Sequence, residues 1–92
     1  MYKLIFTHIY EKREKKFLKK HPELVERYKN ILKLLELNPA HSSLKLHQLK
    51  GKFVGKYAIS ITKSYRIVLT FAVTEKGIVL LDVGGHDEVY SD

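Results

Sequence analysis

The sequence contains no cysteine, and it has no hydrophobic run long enough to cross a membrane as a helix. Without cysteine, the chain can form neither a disulfide framework nor a zinc site built on thiolates. Such a composition suits a reducing compartment, so we expect a cytoplasmic protein with no membrane partner. The alternating residues at the start, from Met1 to Phe6, also differ from a secretory signal peptide. These absences argue against a disulfide-rich secreted domain and against an integral membrane protein.

Acidic residues are absent from residues 45–66, a stretch that carries six lysine and arginine residues. The whole chain has 17 basic and 10 acidic residues, for a formal net charge of +7. Residues 67–92, by contrast, hold one lysine against five acidic residues. A solvated surface usually mixes both signs, so a carboxylate-free stretch indicates a surface that attracts a polyanion. RNA or DNA is the first candidate, and an acidic protein partner is a compatible alternative.

The first half of the sequence reads as a strand followed by two helices. Alternation over residues 2–7 predicts the strand, and an apolar stripe over residues 9–20 predicts the first helix. Apolar residues recur at helical spacing from Leu24 to Leu35, which predicts a second helix that starts near Pro22 and ends before Pro39.

The second half begins with a connection over residues 39–55, which has no firm period, and continues as three strands. Alternation predicts the strands, turns join them, and two glycines end the last one. The predicted strands span residues 57–62, 65–73 and 78–83, and the turns between them lie at 63–64 and 75–77. The two glycines are residues 84–85, and a short tail follows at 86–92. The third strand is apolar on both faces and is therefore predicted to be central or well covered. The order β-α-α-β-β-β predicts a single α+β domain over residues 1–92, with a two-helix hairpin packed on one face of a mainly antiparallel sheet.

Three short motifs follow the predicted helical hairpin. They are His47-Gln48-Leu49-Lys50-Gly51, Ser64-Tyr65-Arg66-Ile67-Val68 and Gly84-Gly85-His86-Asp87-Glu88-Val89-Tyr90. Together with the hairpin, their order and spacing resemble the RelE/ParE toxins of type II toxin–antitoxin systems. The first and last motifs look closest to the YafQ-like branch of that superfamily. The resemblance covers essentially the whole chain.

The resemblance implies a ribosome-dependent mRNA endonuclease that needs neither a metal nor another cofactor. In that chemistry, the 2′-hydroxyl of the RNA attacks the neighbouring phosphate and leaves a cyclic phosphate and a free 5′-hydroxyl. The reaction requires a base, an acid and a cation that holds the charge developing on the phosphate. The resemblance also implies two partners, namely a cognate antitoxin protein and mRNA on the ribosome.

The same resemblance points to four catalytic residues. His47 and His86 match the two histidines of the YafQ-like motifs, and either of them can be the base. Arg66 matches an arginine of the third strand in RelE-like members, and Tyr90 matches a C-terminal aromatic residue. Arg66 alternates with core residues, so it is predicted to point to the sheet face that the helices leave open. The predicted RNA-binding residues are Lys45, Lys50, Lys52, Lys56, Ser60 and Ser64.

The sequence departs from the family pattern at two serines, and this leaves alternatives open. Ser60 and Ser64 stand where the YafQ-like branch has a histidine and an aspartate. A ParE-like inhibitor that binds DNA gyrase and a catalytically silent, antitoxin-binding member are the alternatives to a nuclease. Arg66 can instead pair with Asp87 or Glu88, and Tyr90 can instead close the edge of the core. The five histidines lack the spacing of a metal site, so no metal is expected.

Overall fold

The computed structural model describes residues 1–73 and 76–90, which form helices packed on a five-stranded sheet. The strands are β1 (Lys3–Phe6), β2 (His47–Gln48), β3 (Tyr57–Ser60), β4 (Tyr65–Phe71) and β5 (Gly77–Gly85). The helices are α1 (His8–Lys20), α2 (Val25–Leu37) and the one-turn α3 (His86–Val89). This architecture confirms the predicted α+β fold class.

The strands lie in the order β1-β5-β4-β3-β2, with β1 parallel to β5 and every other pair antiparallel. β5 is hydrogen-bonded on both sides, which confirms the prediction of a central strand from its two apolar faces. The sheet therefore joins the first strand of the chain to the last one, and β2 forms the opposite edge.

Helix α1 begins where Thr7 caps it, because Thr7 Oγ1 accepts a hydrogen bond from Tyr10 N at 3.2 Å. The same hydroxyl donates to Leu80 O at 2.8 Å, which fastens the start of the helix to β5. Helix α2 follows a 3₁₀ turn that starts at Pro22, and it ends at Asn38. Both helix predictions are thus confirmed to within a few residues.

The core lies between the two long helices and one face of the sheet. The buried helix residues are Tyr10, Phe17, Tyr28, Ile31 and Leu35, and the buried residues of the β3–β4 hairpin include Ile59, Ile61, Ile67 and Leu69. Full burial of one such aliphatic side chain contributes about 1.5–3 kcal/mol to stability. The hydroxyls of Tyr10 and Tyr28 hydrogen-bond to each other, and Tyr28 Oη donates to Glu14 at 2.7 Å. Because of this network, the two buried phenols leave no polar atom without a partner.

Three local predictions differ from the structure. Residues 47–48, predicted as part of a connection, form the edge strand β2. Gly84 and Gly85 belong to β5, and the tail begins as helix α3. The turn predicted at 75–77 and the end of the tail at 91–92 lie partly or wholly outside the described residues. Among the residues that are described, no helix combines the length and the apolar character that crossing a membrane requires.

Candidate active site

A cavity of about 320 Å³ opens beside β4, on the face of the sheet away from the long helices. Its lining consists of His47, Leu49, Lys50, Phe53, Arg66, His86 and Tyr90. Five residues that were singled out from the sequence, four as catalytic and Lys50 as RNA-binding, therefore lie around one cavity. They come from β2, the loop after it, β4 and α3.

The register of the sheet explains why residues so distant in sequence meet here. Arg66 pairs with Ser60 of β3 on one side and with Gly84 of β5 on the other. Its neighbour Ile67 is fully buried in the core, so Arg66 points to the opposite face, as predicted. Because β5 ends at Gly85, helix α3 starts immediately beside this arginine and brings His86 and Tyr90 to it.

His47 is exposed, and its ring is oriented by a local hydrogen bond. Its Nδ1 lies 2.9 Å from the carbonyl oxygen of Lys45. A carbonyl oxygen can only accept a hydrogen bond, so Nδ1 carries the proton in the neutral ring. The other nitrogen, Nε2, is then the one with a free lone pair, which makes it the atom of His47 that can accept a proton.

Arg66 is partly buried and is anchored at one end. Its Nη1 donates to the carbonyl oxygens of Thr62, at 2.9 Å, and Lys63, at 3.2 Å, in the β3–β4 turn. Nη1 also lies 3.5 Å from the carbonyl oxygen of Tyr65, so backbone carbonyls at the end of the β3–β4 hairpin hold the guanidinium. Anchoring fixes the plane of the guanidinium while part of its donor fork stays available for an anion.

Tyr90 lies between two other aromatic rings of the cavity. Its ring centroid is 4.5 Å from that of His86 and 6.0 Å from that of Phe53, both edge to face. Its hydroxyl oxygen is buried, and within the described part of the chain no atom makes a well-aligned hydrogen bond to it. Burial raises the pKa of Tyr90, and the charge of Arg66, together with a poorly aligned hydrogen bond from its guanidinium, lowers it in part. The hydroxyl is therefore protonated at neutral pH and lies beside the guanidinium of Arg66.

His86 is exposed at the rim of the cavity. Its Nδ1 lies 3.8 Å from a carboxylate oxygen of Asp87, whose side chain is fully exposed. An ion pair in such a position contributes little, because solvent screens it. The backbone amide of His86 also donates a long hydrogen bond, 3.3 Å, to the carbonyl of Ser64.

Leu49 and Phe53 line this cavity although neither was predicted as a site residue, and Phe53 is the aromatic one of the two. It sits between two tight turns, where Gly51 and Gly55 have φ angles of +66° and +89° that other residues rarely adopt. The ammonium groups of Lys52 and Lys56 lie 5.3 Å and 5.6 Å from the centre of its ring, within cation–π range. An aromatic residue with lysines close by on both sides, inside a carboxylate-free stretch, was the available signal.

The remaining predicted residues lie outside the cavity lining. Lys45 and Ser60 line a separate groove on the other side of Arg66, and Ser64 is exposed in the β3–β4 turn. Lys52 and Lys56 lie beside the cavity, where both contact the ring of Phe53. Across the described ranges, no three histidine or acidic side chains come close enough together to hold a metal ion.

Comparison with known proteins identifies the architecture. The sequence matches no protein-family model and no curated protein sequence. YafQ from E. coli superposes with a TM-score of 0.80 at 16% identity, covering 99% of this chain and 100% of YafQ. The chain has the fold of the YafQ and YoeB toxins. A YoeB/ParE toxin from Agrobacterium tumefaciens gives a TM-score of 0.75 at 20% identity, over 91% of this chain and 98% of that toxin.

The YafQ fold also occurs in a toxin–antitoxin assembly. The E. coli DinJ–YafQ complex matches with a TM-score of 0.77 at 18% identity, and the match covers 98% of each chain. At such low identities, these superpositions establish a shared fold and no more. Activity and partners have to be argued from the cavity itself.

Proposed function

We propose that this protein is the toxin of a type II toxin–antitoxin system and that it cleaves mRNA on the ribosome. The observation that carries the proposal is the cavity in which His47, Arg66, His86 and Tyr90 meet. Cleavage of RNA by its own 2′-hydroxyl requires a base, an acid and a cation, and two histidines and an arginine are suited to these roles.

In the proposed reaction, the 2′-oxygen forms a bond to phosphorus while the bond from phosphorus to the 5′-oxygen breaks. His47 Nε2 takes the proton of the 2′-hydroxyl, and His86 in its protonated form gives a proton to the departing 5′-oxygen. His47 is assigned as the base because its Nδ1 already donates to Lys45 O and leaves Nε2 as the acceptor. His86 is assigned as the acid by elimination, and no metal takes part in these steps.

Arg66 would stabilise the negative charge that develops on the phosphate oxygens. The carbonyls of the β3–β4 turn hold its guanidinium before the substrate arrives. Preorganised donors of this kind cost little reorganisation during the reaction. The hydroxyl of Tyr90 lies beside Arg66 and would help to hold the guanidinium in place, and the rings of Tyr90 and Phe53 offer a surface on which an unpaired base can stack.

The partners follow from the same proposal. An antitoxin protein would neutralise the toxin, as the name of the DinJ–YafQ toxin–antitoxin complex indicates for YafQ. An acidic segment of such a partner would complement the net charge of +7. The site of action would be the cytoplasm, where mRNA is translated.

The first prediction concerns cleavage in a purified translation system, with RNA 5′ ends mapped on a defined mRNA. We expect cuts within codons held by the ribosome, 5′-hydroxyl ends and 2′,3′-cyclic phosphate ends. His47→Gln and His86→Gln should each lower the cleavage rate by about 10²–10⁴-fold. Arg66→Lys should also lower it, because a lysine cannot both anchor at the turn and present a planar fork.

The matched control is His8→Gln, because His8 is exposed on α1 and does not line the cavity. Wild-type cleavage by all three site variants would refute the site. An absence of cleavage together with inhibition of DNA gyrase would replace the nuclease by the gyrase-binding alternative. Intact antitoxin binding with neither activity would identify a silent member.

A further inference from the structure

A second groove, of about 150 Å³, lies next to the cavity and has no role in the chemistry proposed above. Four cationic residues line it, together with three hydroxyl-bearing residues and Ile61, and none of its lining residues is acidic. The cationic residues are Arg27, Lys45, Lys63 and Arg66. Four like charges around one small groove repel each other, and an anion bound between them offsets this repulsion.

We infer that this groove binds a second phosphate group of the RNA strand, adjacent in the chain to the phosphate held in the cavity. The inference rests on the proposed function and names a further contact with its substrate. Phosphate fits the lining because arginine and lysine carry the charge, while serine and threonine hydroxyls can donate to its remaining oxygens.

Arg66 makes the groove continuous with the cavity, because it lines both of them. Its Nη1 donates to the carbonyls of Thr62 and Lys63, so the guanidinium lies against the turn that forms the groove wall. An RNA strand that passes over Arg66 therefore leaves the cavity and enters the groove directly. A single-strand binding surface commonly follows the backbone in this way.

Arg27 reaches the groove from α2 and is held there by a hydrogen bond. Its Nε donates to the carbonyl of Ile61 at 2.6 Å. A guanidinium has five N–H donors, and the other four have no partner among the residues that the structure describes. Arg27 is thus positioned like Arg66, with one donor fixed on the protein and the others available to an anion.

Lys45 connects the groove to the proposed base. Its backbone is left-handed, with φ at +53°, which is an uncommon conformation for a residue other than glycine. Its carbonyl oxygen accepts the hydrogen bond from His47 Nδ1. A phosphate that fixes the side chain of Lys45 would therefore also steady the carbonyl that orients His47.

The test is a binding measurement with a fluorescent single-stranded RNA whose 2′-oxygens are all methylated. This RNA cannot be cleaved, and its affinity is followed by anisotropy over a range of salt concentrations. Each lost phosphate contact should reduce the slope of log K against log [salt] by about 0.7 on a single strand. We expect this reduction for Lys63→Ala, which is in an exposed turn, and for Lys45→Gln.

Lys3→Ala is the matched control, since Lys3 is exposed on β1, at the edge of the sheet opposite β2. A second arm uses RNA with one neutral methylphosphonate linkage beside the cleavage position. Wild-type protein should bind this RNA more weakly than it binds the fully charged RNA. Lys63→Ala should bind the two RNAs with nearly equal affinity, because the substitution and the neutral linkage remove the same contact.

Three outcomes decide the matter. If both groove variants keep the wild-type slope of log K against log [salt], the inference is overturned. It is also overturned if the variants keep their RNA affinity but lose binding to an acidic peptide. Because the methylated RNA is not cleaved, binding is scored independently of catalysis. A protein that never cleaves mRNA but shows the expected slopes would refute the proposed chemistry and still support the phosphate groove.

Discussion

At the scale of single residues, Tyr90 combines a well-packed ring with a hydroxyl that lacks an aligned partner. Burying a hydroxyl without a hydrogen bond costs about 1–3 kcal/mol, and the poorly aligned contact with Arg66 offsets only part of that cost. Tyr90→Phe removes that hydroxyl and keeps the ring against His86 and Phe53. We expect an unfolding temperature equal to or above that of the wild type, together with slower RNA cleavage.

Tyr90→Ala provides the comparison, because it removes the ring as well and should lower both the unfolding temperature and the cleavage rate. Differential scanning calorimetry and the translation assay give the two readouts. If Tyr90→Phe lowers the unfolding temperature and cleaves at the wild-type rate, the hydroxyl serves the core and has no part in the site.

Short motifs pointed to His47, Arg66, His86 and Tyr90, and the structure brings these four residues to one cavity. Their catalytic roles stay a prediction until the variants are measured. Phe53 and Arg27 were not foreseen, for different reasons. Phe53 lies in a segment without a period, and Arg27 is one charged residue among several on α2, so only the folded chain places it near Ile61.

At the scale of elements, β5 carries an acidic residue within an otherwise apolar strand. Asp82 accepts a hydrogen bond from Val83 N at 2.8 Å and forms an ion pair with Arg13 at 3.2 Å. Burial raises the pKa of Asp82, although the Val83 amide and Arg13 lower it in part. Between the ordinary pKa of 3.8 and this raised value, the folded state binds more protons than the unfolded state. The free energy of unfolding therefore falls as pH rises through that window, and the loss persists above it.

Asp82→Asn removes this titration and keeps an oxygen that can accept from Val83. We expect the difference in unfolding free energy, variant minus wild type, to increase as pH rises through the window and then to level off. Urea unfolding at a series of pH values measures it. Asp87→Asn, at a fully exposed position, controls for the loss of one negative charge. A difference that is flat with pH would show that the ion pair with Arg13 offsets the burial of Asp82.

The elements that were predicted correctly are long enough for a repeat of apolar residues to show in the sequence. α2 has a helical repeat of apolar residues, and every second residue of β4, from Tyr65 to Phe71, is apolar or aromatic. β2 was missed because it has only two residues, and its pairing with Ala58 and Tyr57 depends on a distant strand. The same limit applies to α3, a single turn that forms where β5 ends.

At the scale of the whole molecule, positive charge is concentrated in residues 1–20 and 45–66. Self-repulsion of this kind destabilises a compact state, and salt screens it. Raising NaCl from about 0.01 M to about 0.5 M, where the Debye length shrinks several-fold, should raise the unfolding temperature and weaken RNA binding. Thermal unfolding and RNA-binding anisotropy, measured on one preparation, test whether the unfolding temperature rises while the RNA affinity falls. An unfolding temperature that falls with salt would mean that attractive ion pairs outweigh the repulsion.

The parallel pairing of β1 with β5 has a consequence for how the protein is made. Residues 3–6 have no partner strand until residues 77–80 have been synthesised. At about 5–20 residues per second, the nascent chain waits roughly 4–15 s with this edge unpaired. His86 and Tyr90 are added later still, so the cavity cannot assemble on a half-made chain. The order of synthesis thus delays the cavity until α3 and Tyr90 have been translated, so a chain that stops short of α3 carries an incomplete cavity.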